Sequence, residues 1–207
     1  MNNSTLVAPI ICIPPIGYFA KAAAAKEVII DAGENYVKQS IRNRYHILSA
    51  NGVLTLSIPV ISQGGEKIPT GDIKIDYSKE WQRNHLRAIN AAYRSAPFYD
   101  YYAEAVVDLI ESGAESLCEF AEKSAVMCNA WLGYEIPRKV EHTFQEGDFD
   151  CDLRLKIKRP EDFPGKPEFK TYVQVFADRF EFQPNLSILD LIFNLGPEAG
   201  NFIKEMS

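Results

Sequence analysis

No apolar run in the 207-residue chain approaches the ~20 residues that a membrane-spanning helix needs, so no membrane segment is expected. The opening MNNSTLVAPIICIPP has no basic residues ahead of its short apolar run and no clear cleavage site, so it reads as a first strand rather than a signal peptide. Cations are in deficit: a net charge of −6 argues against a protein held to nucleic acid by bulk electrostatics, while leaving room for a local basic pocket. Cysteine is sparse, and Cys12, Cys118, Cys128 and Cys151 include no pair at metal-ligand spacing. Reduced thiols, a cytoplasmic address and no metal or cofactor are the expectation. Gly64-Gly65 lacks the strand–glycine–helix context and the Gly-Lys-Ser/Thr of a phosphate loop. The acidic run Glu146, Asp148, Asp150, Asp152 lacks the glycine and distal glutamate of a calcium loop.

What is present is an ordinary globular composition, 46% hydrophobic and 24% charged, which excludes global disorder and fits one domain over residues 1–207. The clearest local signal is Tyr36 to Val60. Leu54, Leu56, Ile58 and Val60 alternate with Val53, Thr55, Ser57 and Pro59, and Asn51-Gly52 suits a two-residue hairpin turn. That turn sets Ala50 opposite Val53 and Ile47 opposite Leu56. One face is then apolar (Tyr45, Ile47, Leu54, Leu56, Ile58), and the other carries Arg42, Arg44, His46, Ser57 and Thr55. Such a polar row could hold an anionic ligand or face water.

Before the hairpin, Leu6–Ile13 and Glu27–Asp31 read as buried strands flanking an Ala-rich helix, Phe19–Lys26, which makes a βαβ unit. Asp31 falls at the carboxyl end of its strand, where open α/β sheets place ligand groups, though a loop-fixing role is the plain alternative. After the hairpin, a short strand is expected at Asp72–Asp76. A helix follows from a Ser78 cap to about Ser95, with Trp81, His85, Ile89 and Ala92 inward and the arginines outward. His85 on that inner face is either a core histidine or a base. A third helix, Phe98–Ser112, and a fourth opened by the Ser116/Glu119 capping box and ending near Gly133 complete an amphipathic run. Beyond a Pro-rich stretch with a short strand at Leu153–Ile157, Tyr172–Phe176 reads as a last strand, with helices after Ser187 and after Gly196-Pro197. The fold class is α/β: a mixed sheet with an N-terminal βαβ unit and a hairpin, covered by amphipathic helices, with α+β as the alternative.

The segment YVQVFADRFEFQPNLSILDLIFNLGPE resembles the carboxyl-terminal signature of the WbqC-like family through Tyr172, Gln174, Leu186, Ser187, Asp190, Asn194, Gly196 and Pro197. Trp81, His85, Tyr93, Ala96 and Pro97 are similar to its central motif. Lys38, Ser40, Asn43 and Arg44 resemble its Lys-x-Ser-x-x-Asn-Arg-Asn block, with Tyr45 in the last place. Asp31 stands at the first of two family aspartates, and Ala32 at the second. Gly17-Tyr18-Phe19 also matches, but the family's usual opening His-Gln-Pro-x-Tyr-x-Pro-Trp is replaced by APIICIPPI, and residues 134–170 form a divergent, shortened insert region. The resemblance implies work on a small sugar or nucleotide-sugar ligand in surface-polysaccharide biosynthesis, as an acyl or aminoacyl transferase to a sugar amine. On that reading His85 is the base and Asp31 orients it. Arg42 and Arg44 clamp a pyrophosphate, and Asn43, Tyr93, Tyr172, Gln174 and Asn194 join the substrate site. The alternative is a catalytically inactive, divergent member that binds a ligand or a partner. No oligomeric state is implied.

Overall fold

The computed structural model describes residues 4–61, 67–154, 162 and 169–206. The βαβ unit forms as expected: β1 (Thr5–Pro9), α1 (Ile16–Ala24) and β2 (Glu27–Asp31), with β1 and β2 parallel and Pro9 opposite Asp31. The expected first strand is too long. Ile10 to Ile13 are buried but unpaired, because an apolar run records burial and not hydrogen-bonding partners. Two further parallel strands come from later in the chain, β5 (Arg138–Glu141) beside β2 and the two-residue β6 (Cys151–Asp152) beside β1, giving the order β5-β2-β1-β6. Leu153 follows β6 and is fully buried, whereas the rest of the strand expected over Leu153–Ile157 runs into residues outside the described ones.

The hairpin is a separate antiparallel pair of β3 (Arg44–Ser49) and β4 (Gly52–Ser57). The structure therefore has the α/β class, with a parallel sheet and an antiparallel hairpin under helices. The register differs from the expected one. Ile47 faces Leu54, and Ser49 faces Gly52, with Ala50 and Asn51 at the tip. Gly52 has φ of 99°, whereas neither Ala50 nor Asn51 has positive φ, so the glycine ends the loop rather than occupying its centre. The shift is two residues, so both faces keep their side chains. Tyr45, Ile47, Leu56 and Ile58 are buried, while Leu54 at the tip is exposed.

Three helices follow: α2 (Trp81–Tyr93), α3 (Tyr99–Ile110) and α4 (Leu117–Leu132). On α2 the expected inner stripe of Trp81, His85, Ile89 and Ala92 is buried, and Trp81 packs edge-on to Phe120 of α4. On α3, Val106, Leu109 and Ile110 are buried, and Tyr101 is 81% exposed. The Ser116 hydroxyl accepts from Glu119 N–H at 3.2 Å, and the Glu119 carboxylate reaches back to Glu115 N–H at 2.8 Å. The cap closes as its spacing implies, one residue early on the return arm. Gly133, at φ 71°, ends α4.

Two expected strands are absent. Thr70–Asp72 is a 3₁₀ turn followed by single bridges from Lys74 and Ile75. Tyr172–Phe176 runs as coil into a turn, because its polar side chains engage a helix instead of a neighbouring strand. That helix is α5 (Ile188–Leu195), and after a Gly196–Glu198 turn α6 (Ala199–Met206) closes the chain. All apolar layers merge into one core that includes Leu6, Phe19, Ile47, Phe120, Leu191 and Ile203. Among the described residues no helix is long and apolar enough to cross a membrane.

Candidate functional site

The residues nominated from the sequence fall into separate groups. Asp31 is completely buried at the carboxyl end of β2. Its Oδ1 accepts from Glu34 N–H at 3.0 Å, and its Oδ2 accepts from Gln145 N–H at 3.0 Å and from Arg154 Nη1 at 2.6 Å. Arg154 also pairs with Asp152, Nη2 to Oδ2 at 2.7 Å, and its guanidinium lies over the rings of Phe144 and Phe149. Next to it, Arg42 is 1% exposed and grips Glu34 with both arms of its fork, Nε to Oε1 and Nη2 to Oε2, each at 2.7 Å. Two further donors go to Ser40 Oγ and to the carbonyl of Arg154. Burial pushes the Glu34 carboxyl up, and the Arg42 hydrogen bonds offset part of that rise. Arg42 and Arg154 thus hold each other's loops closed over the sheet, and four of the five guanidinium hydrogens of Arg42 are engaged, which leaves it no free two-armed fork for a clamp.

A second group forms around Asp190, on the first turn of α5 and 0% exposed. Tyr93 donates its hydroxyl to Oδ1 at 2.9 Å, Tyr172 donates to Oδ2 at 2.5 Å, and Gln174 Nε2 donates to Oδ2 at 2.8 Å. Three nominated residues from α2 and from the coil before α5 therefore meet on one carboxylate. Burial pushes that carboxyl up, with all three hydrogen bonds working against the rise. Burial raises both tyrosine hydroxyls further, and the adjacent carboxylate adds to it, which keeps them as neutral donors. Asn194 does not join. Its Nδ2 donates at 2.7 Å to the backbone carbonyl of Asp190 one turn back, which is a contact within the helix.

His85 stands apart from both. It is 4% exposed, edge-on to Tyr45 and Trp81. Its Nε2 lies 3.2 Å from the Ser57 carbonyl, which can only accept, so Nε2 carries the proton. Nδ1 then accepts from the Tyr45 hydroxyl at 2.9 Å. Burial lowers its pKa to about 4, so the ring is neutral at physiological pH. The lone pair that a general base would use already accepts a hydrogen bond from tyrosine.

The polar face of the hairpin is the remaining place. Asn43 points away from it. Its Nδ2 donates to the Ile58 carbonyl at 2.8 Å, and its buried Oδ1 has no partner among the described residues. Arg44, His46, Ser57 and Thr55 share the face: Arg44 pairs with Ser57, and His46 with Thr55. Arg44 is half-buried, and its Nε is shielded from solvent without a partner among the described residues. The residue before α5 docks on the outer edge of this hairpin, Ser187 N–H donating to the His46 carbonyl at 2.9 Å. A hollow of about 710 Å³ opens elsewhere, along Gln82, Arg83, Leu86, Arg87 and Asn90, and includes none of the nominated residues. Among the described residues no three His, Cys, Asp or Glu side chains gather in a way that would hold a metal ion.

Sequence reasoning overlooked Glu34 and Arg154, and it matched Asp190 within the carboxyl-terminal signature without giving it a role. Glu34 and Arg42 lie eight apart with no periodic element between them, and Arg154 sits in the stretch after α4, so neither pairing leaves a spacing signal. Asp190 carried a signal in the donors predicted around it, Tyr93, Tyr172 and Gln174.

Residues 11–162 match the WbqC-like protein family, and over 226 aligned positions the chain is 26% identical to the uncharacterized protein Rv1507c of Mycobacterium tuberculosis (strain H37Rv), covering 93% of this chain and 94% of that protein. No solved structure matches. With a βαβ unit, a hairpin bearing the Asn43-Arg44 block and a family match across most of its length, this chain belongs to the WbqC-like protein family.

Proposed function

We propose that the protein is a cytoplasmic transferase of amino-sugar or nucleotide-sugar modification, moving an acyl or aminoacyl group onto a sugar amine in surface-polysaccharide biosynthesis. The observation that carries this reading is Arg44. It is a half-buried cation on an otherwise polar strand face, its Nε enclosed without a partner among the described residues, while Arg42 and Arg154 are both paired with carboxylates. A guanidinium held this way favours an anionic ligand, and a phosphate-bearing sugar supplies one. In this reading the sugar amine is itself the nucleophile: it attacks the acyl carbon of a thioester or acyl-adenylate, the new C–N bond replaces the C–S or C–O bond, the thiol or AMP departs and the amine proton passes to solvent, so no serine or cysteine nucleophile is required. Asp31 and His85 act as positioning residues. Asp31 holds the loops at 34 and 145, and His85 holds Ser57 beside Arg44. Tyr93, Tyr172 and Gln174 fix α5 through Asp190, which sets Ser187 against the hairpin edge.

A specific observation favours a second reading, a non-catalytic family member that binds the same ligand. The imidazole is sealed and engaged at both nitrogens, and the opening segment offers no replacement histidine. One experiment separates them. The chain is incubated with a nucleotide amino sugar and acyl-thioester or aminoacyl-adenylate donors, and products are followed by mass spectrometry. A product heavier by the acyl group, formed catalytically, supports the transferase. Saturable sugar-nucleotide binding with no product over many hours supports the second reading.

A further inference from the structure

We infer that Arg44 and the Ser187 end of α5 form one anion subsite, and that it takes the diphosphate of a nucleoside-diphosphate sugar. The inference rests on the proposed function for the sugar, but its geometry is independent of any chemistry. Arg44 and His46 are two apart on β3, so their side chains leave the same face about 7 Å apart. Ser187 donates its N–H to the His46 carbonyl at 2.9 Å, so the start of α5 abuts β3 two residues along from Arg44. Ser187 is the residue before the first turn of α5, where a side-chain oxygen ordinarily accepts from the helix's own N–H groups. Here it makes no such bond. The hydroxyl is buried, in a residue 1% exposed, and has no hydrogen-bond partner among the described residues. A buried hydroxyl without a partner is costly, and so is a shielded guanidinium nitrogen. Two such unmet donors on adjoining segments, beside the positive end of a helix dipole, call for the same kind of occupant.

Competing acids do not meet that demand. Asp31 and Asp152 are held by Arg154, Glu34 by Arg42, and Asp190 by its three donors. The Tyr36 hydroxyl, which lies near enough to feel Arg44 and Arg42, is pushed up to about 12 by burial and remains a neutral donor at the same border. An arginine fork suits a phosphoryl group, and a serine hydroxyl can donate to a second one. A diphosphate spans the two stations better than a single phosphate.

The test is titration calorimetry with inorganic pyrophosphate, inorganic phosphate, UDP-N-acetylglucosamine and uncharged N-acetylglucosamine, on the full chain and on R44Q, R44K, S187A and the exposed-surface control R83Q. The expected order is the two diphosphates above phosphate, with the uncharged sugar weakest. R44Q should weaken pyrophosphate by about tenfold or more, R44K and S187A by several-fold, and R83Q not at all. Thermal melts show whether each variant is folded, and if R44Q is not, R44K carries the comparison. Pyrophosphate binding that is equal in wild type and the folded Arg44 variant overturns the subsite, as does no binding by any diphosphate. Arg44-dependent pyrophosphate binding without acyl transfer removes the transferase and leaves the subsite. Acyl transfer indifferent to R44Q does the reverse.

Discussion

Tyr93 and Asp190, 97 residues apart, are joined by one hydrogen bond of 2.9 Å that ties α2 to α5, and the same tyrosine oxygen accepts the N–H of Leu48 on β3 at 3.2 Å. One hydroxyl therefore holds a helix, a helix and a strand in register. Tyr93→Phe should remove about 1–3 kcal/mol of stability, because it leaves both the Leu48 N–H and one Asp190 oxygen short of a partner in a dry interior. Urea unfolding, followed by fluorescence, checks it. A midpoint unchanged from wild type would show that solvent reaches this junction.

Asp190→Asn makes a sharper comparison. Burial raises the Asp190 carboxyl, so the charged form is disfavoured in the fold. Its stabilising contribution is fully present below the unfolded value, and it is lost as pH rises through the folded one. The asparagine variant should therefore lose less stability than wild type between pH 4 and neutrality, relative to its own value at pH 4. The difference of the two stability–pH curves isolates the group.

His85 has the opposite sign. Its folded pKa of about 4 lies below the ordinary 6.5, so the neutral ring stabilises the fold fully above pH 6.5, and that contribution falls away as pH drops towards 4. At ~1.4 kcal/mol per pKa unit the full difference is on the order of 3 kcal/mol. His85→Gln should flatten the acid limb of the stability curve between pH 6.5 and 4 when compared with wild type. Glu34 and Asp190 titrate in the other direction over that range, so only the mutant-minus-wild-type difference reports the histidine.

Arg42→Met should cost about 3–5 kcal/mol, since it strands the buried Glu34 carboxylate. The double variant with Glu34→Leu should recover much of the loss. Thermal denaturation of the single and double variants tests the coupling. Equal losses in both would mean that packing, not charge, holds these loops.

Gly200→Ala tests the closest backbone approach between helices. A Cβ there would stand 2.1 Å from the Leu132 carbonyl oxygen, so α6 must shift away from α4. A loss of about 3 kcal/mol is expected from the overpacking, measured by chemical denaturation.

The parts of the fold visible in the sequence were those set by local chemistry. Glu27–Asp31, the inner stripe of Trp81, His85, Ile89 and Ala92, and the Ser116/Glu119 cap all depend on neighbours a few residues away. Pairing between distant segments was not legible. Val173 looked like one side of a strand because it alternates with Tyr172 and Gln174, yet it is 79% exposed, and its neighbours turn to a helix carboxylate. The site shows the same division. Periodicity placed Arg44 and His46 on one face. It could not tell that Arg42, two residues from Arg44, meets Glu34 beneath the loop, since ion pairs across irregular backbone follow no repeat.

Asp31 fastens three stretches of polypeptide with one side chain: its own strand, the turn at Glu34, and the segment that carries Gln145 and Arg154. The sheet beside it ends in a strand only two residues long. Evolution can therefore lengthen or trim the connection between α4 and α5 at little architectural risk, provided that one amide and one guanidinium still arrive at that carboxylate. The anchor is a point rather than a ladder, so this connection can change in length without disturbing the elements on either side of it.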